Sequence, residues 1–216
     1  MKRTMIVGYA RTPFGRFLGA LSSIPAVELG AVAIKRALEK AKISSEKVDY
    51  LLMGMVLQAG CGQIPSRQAG MKAGLPPTVP SDTINKVCAS GLRAVNLGDY
   101  LIKTKEAEIV VAGGMENMSA CPYYLVKARS GLRMGEANLI DGMIRDGLWC
   151  AFDDVHMGSH GSAVPAEHGI TREEMDRWAW RSHQRAVQAI DQGIYSEEIV
   201  PVPVLDRTKA TVLVTE

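Results

Sequence analysis

Short apolar runs alternate with amphipathic helical patterns through the first half of this chain, and that alternation limits the fold more than any other feature. Residues 5–9, 48–57, 81–87 and 108–112 read as strands. The run 48–57 is nearly continuously apolar, as a strand covered on both faces has to be. Between the first two runs, Val27, Ala31, Ile34, Leu38 and Ala41 recur at spacings of four and three, so a helix over 25–42 would carry them on one face. Pro25 suits the first turn of that helix. A shorter helix is expected over 64–75, ending near Gly74, with Pro76 and Pro77 blocking continuation. A third follows over 90–105. Strands joined through helices imply right-handed βαβ units and a mainly parallel sheet. The ligand crevice of such a sheet lies at the carboxyl ends of its strands.

The third helix is unusual. Leu92, Ala94, Val95, Leu97, Tyr100, Leu101 and Ile102 cover most of its circumference, and Arg93, Asn96, Asp99 and Lys103 leave a narrow polar stripe. A helix apolar nearly all round is expected between two sheets. Cys88 falls where the third strand meets this helix. A helix amino end offers partial positive charge and unpaired N–H groups, which favour a thiolate, the reactive form of cysteine. Ala89, Ser90 and Gly91 keep the approach open. Position alone leaves two readings: a nucleophile, or a small packing residue.

Composition excludes several classes of function. The 216 residues carry a formal charge of only +2, which argues against a nucleic-acid partner. No apolar run reaches membrane-span length. The opening residues move straight into a strand without a leader pattern, so a cytoplasmic protein is the expectation. The four cysteines, Cys61, Cys88, Cys121 and Cys150, form no Cys-x-x-Cys pair. A zinc site or a disulfide framework is therefore not expected, and Cys61, Cys121 and Cys150 read as reduced packing thiols.

After Met118 the pattern changes. Residues 1–118 read as an α/β core and 119–216 as a second unit, irregular and rich in Gly and Met up to about residue 164. Thr171 and Glu174 make a capping box, opening a helix that carries Met175, Trp178, Ala179, Ala186 and Ile190 and ends near Gly193. Residues 195–203 read as an extended exit. His156 and His160 stand four apart, but Gly158 and Gly161 weaken a helix there and no Glu follows His156, so no metal is expected on that pair. Asp153 and Asp154 read as a solvated acidic pair.

Three segments carry a family resemblance. Asn85-Lys86-Val87-Cys88-Ala89-Ser90-Gly91-Leu92-Arg93-Ala94-Val95 resembles the nucleophile segment of the thiolase family. Gly113-Gly114-Met115-Glu116-Asn117-Met118-Ser119 resembles that family's Gly-Gly-x-Glu-x-Met-Ser segment, and Ala10-Arg11-Thr12-Pro13-Phe14-Gly15 its opening strand and turn. The chain is similar to the N-terminal half of such an enzyme, most of all to its acetyl-CoA C-acetyltransferase members. The resemblance implies a thiolase-like α/β fold with an inserted loop domain over 119–216, and a core lacking its last strand.

It also implies a reversible condensation of two acetyl-CoA to acetoacetyl-CoA and coenzyme A, with Cys88 holding the acetyl group. Leu148, His156 and Met157 match positions that line the coenzyme A and acyl pocket. After Gly158 the sequence departs from the family pattern, and Gly161 and Pro165 are expected to weaken the helix that normally follows. Coenzyme A thioesters enter as substrates, with no metal or redox cofactor. A homodimer or homotetramer is implied, with Lys127, Arg129 and Arg133 either a solvated loop or a contact between dimers. The Gly-His-Pro, Cys-x-Gly-Gly-Gly and Asn-Glu-Ala-Phe motifs of the C-terminal half do not occur, so a longer polypeptide or a partner chain is expected to supply them. The alternatives are a degradative 3-ketoacyl-CoA thiolase and a non-catalytic thiolase-like subunit.

Overall fold

The computed structural model describes residues 3–205 and 210–215. Met1 and Lys2, where the leader-free reading begins, and Glu216 lie outside the described residues. Before the sheet comes α1 (Ala26–Ala41), with Pro25 at its N-cap rather than inside its first turn. The sheet is parallel. Its central strand β1 (Tyr50–Gly54) pairs with β2 (Ser81–Ile84) on one side and β3 (Val110–Gly114) on the other. Helix α2 (Pro65–Lys72) links β1 to β2, and α3 (Ser90–Thr104) carries the chain back across β1 to β3. Two right-handed crossovers that move in opposite directions must place their helices on opposite faces of the sheet.

Alternation along β1 sorts the core accordingly. Leu51, Met53 and Met55 face α1 and α2 and join Val27, Ile34, Leu38, Ala69 and Met115 in one buried cluster. Leu52 and Gly54 share the face that α3 covers. Full burial of a side chain such as Leu51 stabilises the fold by about 1.5–3 kcal/mol. The apolar face expected for α1 is the buried one, with Ala41 half-buried at its end.

Several expectations need correction. First, β3 spans Val110–Gly114, so Gly113 and Gly114 lie inside the strand instead of closing it. Glycine is poor in strands, but at Gly114 a close approach of α3 requires it. Second, residues 5–9 form no strand. They run past α1, where a Cβ on Gly8 would lie 2.5 Å from the Ala37 carbonyl oxygen. They also pass α3, where Thr4 Oγ1 donates to Asp99 at 2.6 Å. Met5, Ile6 and Val7 are exposed. Strand propensity supplies no ladder partner; the first cross-chain pairing comes at Arg11, whose amide donates to the Glu198 carbonyl at 2.8 Å.

Third, α3 is not buried all round. Ser90, Ala94 and Gly98 form its buried side, while Leu92 is 67% and Tyr100 53% exposed. The small residues meet the sheet, and among the described residues no second layer covers the large ones. Fourth, a helix does form beyond Gly158: α4 (Met157–Glu167) runs through Gly161 and Pro165. Pro165 forfeits only the bond to the Gly161 carbonyl, and two residues later the helix ends. Its start is capped by His156, whose Nδ1 accepts from the Gly158 amide at 2.9 Å.

The rest of the second half is a series of small pieces. The chain turns through Met118–Ala120 at the expected change of character. The ladder of β4 (Tyr123–Tyr124) with β5 (Ile140–Asp141), a π-turn over Ile144–Leu148, and a hairpin of β6 (Trp149–Cys150) with β7 (Val155–His156) precede α4. Helix α5 (Arg172–Asp191) opens with both halves of its capping box formed. Its Trp178 and Val187 are exposed. Residues 195–198 form a turn rather than an extended exit, because the amides of Glu198 and Ile199 both donate to the Tyr195 carbonyl. Strands β8 (Val202–Leu205) and β9 (Thr211–Val214) then pair, and Val202 and Val204 bury against Leu21 and Leu29. No helix among the described residues is long and apolar enough to cross a membrane.

Candidate active site

Close backbone packing fixes the amino end of α3 at the carboxyl edge of the sheet. A Cβ on Gly54 would lie 2.3 Å from the carbonyl carbon of Ser90 and 2.4 Å from the Gly91 nitrogen. One on Gly114 would lie 3.3 Å from the Gly91 Cα. Glycine at the ends of two neighbouring strands lets the helix start against the sheet backbone itself.

The link from β2 into α3 is tightly bonded. Asn85 Oδ1 accepts from the Val87 amide at 2.9 Å, and Asn85 Nδ2 donates to the Val56 carbonyl at 3.2 Å. Buried Ser90 accepts from the Lys86 amide at 2.8 Å and donates to the Val87 carbonyl at 2.5 Å. These bonds hold Val87 in the left-handed region at φ 48°. For a β-branched residue that conformation costs about 1–3 kcal/mol and persists only where its surroundings impose it. The strained residue presents Cys88, which is exposed. Ala89 occupies the N-cap of α3 and no side chain caps it, so the first-turn amides are left to other acceptors.

Cys88 borders a cavity of about 670 Å³ at the carboxyl ends of the strands. Its walls come from six parts of the chain: the 10–17 segment, the stretch from Leu21 into α1, the end of β1 with the loop after it, the turn around Cys88, the segment after β3, and Gly147 with Leu148. The segment after β3 braces the others. Glu116 accepts from the Val56 amide at 2.8 Å and the Leu57 amide at 3.2 Å. Burial raises the Glu116 carboxyl above the ordinary carboxylate value, and the two amides oppose that rise. Asn117 Nδ2 donates to the Ser22 and Ile24 carbonyls at 3.0 and 2.7 Å, fastening the chain that leads into α1. Near Leu148, Tyr124 donates to Asp146 at 2.6 Å, a bond that pushes the phenol up to about 12.

The predicted site residues divide. Cys88 and Leu148 line the one cavity, whereas His156 and Met157 lie outside it, where β7 passes into α4. His156 is half-buried and spends its Nδ1 on the helix cap; Met157 is 49% exposed. No histidine stands among the described residues of the cavity wall. Burial pushes Cys61 and Cys121 up, away from the thiolate. In the sequence Glu116 and Asn117 stand only as members of a motif, with no task of their own. A carboxylate and an amide directly after an apolar strand were the available signal, because buried polar groups there need partners.

A family described as "Thiolase, N-terminal domain" matches residues 4–216. An acetyl-CoA acetyltransferase of Pseudomonas aeruginosa is 50% identical over 96% of this chain and 53% of its own length. One of Cupriavidus necator is 53% identical over the same shares, and one of Escherichia coli is 50% identical over 98% of this chain and 54% of its own. The chain thus spans about half the length of the curated relatives it matches.

Proposed function

We propose that this chain, which belongs to the thiolase family, is the acyl-accepting part of an acetyl-CoA acetyltransferase. In this reading Cys88 attacks the thioester carbonyl of acetyl-CoA. The sulfur–carbonyl bond forms, coenzyme A leaves as its thiol, and an acetyl-cysteine remains. The α-carbon of a second acetyl-CoA, deprotonated by a base outside this chain, then displaces Cys88 and yields acetoacetyl-CoA. Covalent storage in two steps predicts ping-pong kinetics. The observation that carries the reading is the one exposed thiol on a strained turn at the mouth of a cavity, held at a helix amino end that no side chain caps.

Glu116 and Asn117 would keep the cavity wall in place, and Leu148 would contact the acyl-CoA. His156 and Met157 would join them only if β7 and the start of α4 close toward the cavity. The thioester is substrate, and this reading requires no resident cofactor. A second reading, a non-catalytic subunit that binds acyl-CoA, draws on the lack of a histidine among the described wall residues.

Incubation of the chain with acetyl-CoA, alone and with a separately produced C-terminal thiolase half, followed by peptide mass spectrometry, separates the two. Acetyl on Cys88, absent in Cys88→Ala, is the expected result. Acetyl on another residue, or binding of acetyl-CoA with no adduct under either condition, would overturn the catalytic reading.

A further inference from the structure

The four residues joining β6 to β7 form a pinned turn. Asp154 takes a left-handed backbone at φ 55°. Its amide donates to the Cys150 carbonyl at 3.0 Å, and its carboxylate accepts from Trp149 Nε1 at 2.8 Å. The turn holds Asp153 between side chains from two other elements. Cys150 Sγ, at the end of β6, donates to Asp153 Oδ2 at 3.4 Å. His160 Nε2, from the first turn of α4, lies 3.2 Å from that same oxygen. Sulfur, carboxylate oxygen and imidazole nitrogen all lie within 4.8 Å of one another. The acidic pair is therefore not merely solvated, and the partners of His160 come from across a turn rather than from His156 along a helix.

These three groups are not a second nucleophilic triad. Such a triad needs the imidazole against the thiol and the carboxylate behind it. Here the carboxylate stands between the other two. Its oxygen is the common vertex of two contacts, an arrangement that suits a shared cation.

We propose that Cys150, Asp153 and His160 form a site for a zinc-class divalent cation. Zinc bonds of about 2.3 Å to sulfur and about 2.0–2.1 Å to nitrogen and oxygen, set at tetrahedral angles, separate N from O by about 3.3 Å and S from O by about 3.5 Å. The two separations in the structure, 3.2 and 3.4 Å, already have these lengths. The sulfur–nitrogen edge of the same tetrahedron is about 3.6 Å, inside the 4.8 Å that bounds all three atoms. The donor set selects the ion: a thiolate and an imidazole favour zinc and its softer neighbours over magnesium or calcium. On binding, the Cys150 S–H bond breaks, its proton leaves to solvent, and the sulfur lone pair goes to the metal. Thiolate and carboxylate together neutralise the divalent charge. The fourth position faces solvent beside exposed Asp153 and takes water. None of the three residues borders the cavity at Cys88, so the site is separate from the proposed reaction centre. A bound ion would staple the β6–β7 hairpin to α4, a segment with no core of its own.

Calorimetric titration of zinc chloride into the reduced chain tests this, in a Cys88→Ser background so that the exposed thiol contributes nothing. The expectation is one ion per chain bound at micromolar concentration or tighter, and a sulfur-to-cobalt charge-transfer band when cobalt chloride replaces zinc. Cys150→Ser and His160→Ala should each weaken binding at least about tenfold, and Cys150→Ser should remove the band. Circular dichroism checks that both variants keep their fold. Zinc should also slow alkylation of Cys150, read by peptide mass spectrometry on the unaltered side chains. Binding that survives both substitutions, no binding below about 0.1 mM zinc, or Cys150 alkylation indifferent to zinc would each overturn the proposal.

Discussion

Gly54→Ala tests the contact that sets Cys88 in place. The added Cβ would sit 2.3 Å from a backbone carbon of Ser90, about 1.1 Å inside the 3.4 Å at which ordinary contact begins. Its nearest neighbours are main-chain atoms of Ser90 and Gly91 rather than the tips of flexible side chains. Relief therefore requires α3 to lift as a body by roughly 1 Å, or β1 to bend. Overpacking of this kind costs about 1–3 kcal/mol, against a gain of about 0.5–1 kcal/mol from replacing glycine within a strand. The clash wins, and we expect a net loss of about 1–2 kcal/mol in urea unfolding.

A second consequence is local. The lifted helix carries Ser90, and with it the hydrogen bonds that hold Val87 in its strained conformation. The native alkylation rate of Cys88 should change accordingly, and in a complete enzyme a displacement of about 1 Å would cost on the order of a hundredfold in turnover. Gly161→Ala is the matched control. Its Cβ would meet nothing within 4 Å inside α4, so a gain of about 0.5–1 kcal/mol is expected. A Gly54→Ala chain with the wild-type unfolding midpoint and the wild-type Cys88 alkylation rate would refute the reasoning.

Glu116 gives a pH test. Its carboxyl is raised in the folded state, so its contribution to stability is present below the unfolded carboxylate value and is lost as pH climbs through the folded one. Glu116→Gln should remove that component, and the difference between variant and wild type should favour the variant increasingly as pH climbs above the ordinary carboxylate value; parallel urea-midpoint profiles would contradict it. Thr171→Ala removes one half of the α5 capping box and should cost about 1 kcal/mol, visible as lost helicity on mild heating; unchanged circular dichroism would mean that the cap contributes nothing. Asn117→Ala strips the Ser22 and Ile24 carbonyls of a shared donor, and a loss of about 1–3 kcal/mol in urea is expected; a smaller change would mean that water replaces the amide.

The sheet was legible because its signals are local. The 3.6-residue repeat in α1 and the continuous apolar run at β1 each follow from one stretch of sequence, and the capping box of α5 needs four residues. What misled was every case in which a distant segment decided the outcome. Gly114 looks like a strand breaker until Gly91 is seen to pack 3.3 Å from the place its Cβ would take. Residues 5–7 are as strand-prone as β1 but have no ladder beside them. Cys150 and His160 look unrelated in sequence, because ten positions separate them and a left-handed turn brings them together. Glu116 could be read as part of a motif, but its task depends on two amides 59 and 60 residues earlier.

Helix α3 combines these contrasts in one element. Its sheet-facing side is built from Ser90, Ala94 and Gly98, residues small enough for the backbone to approach the strands. Its outer side exposes Leu92, Val95 and Tyr100. A rigid helix cannot answer to a contact on one side without moving the other. Leu92 lies in the first turn, on the same rod whose amino end follows directly from Cys88. Any layer that comes to cover Leu92 and Val95 must therefore close within a few residues of the thiol.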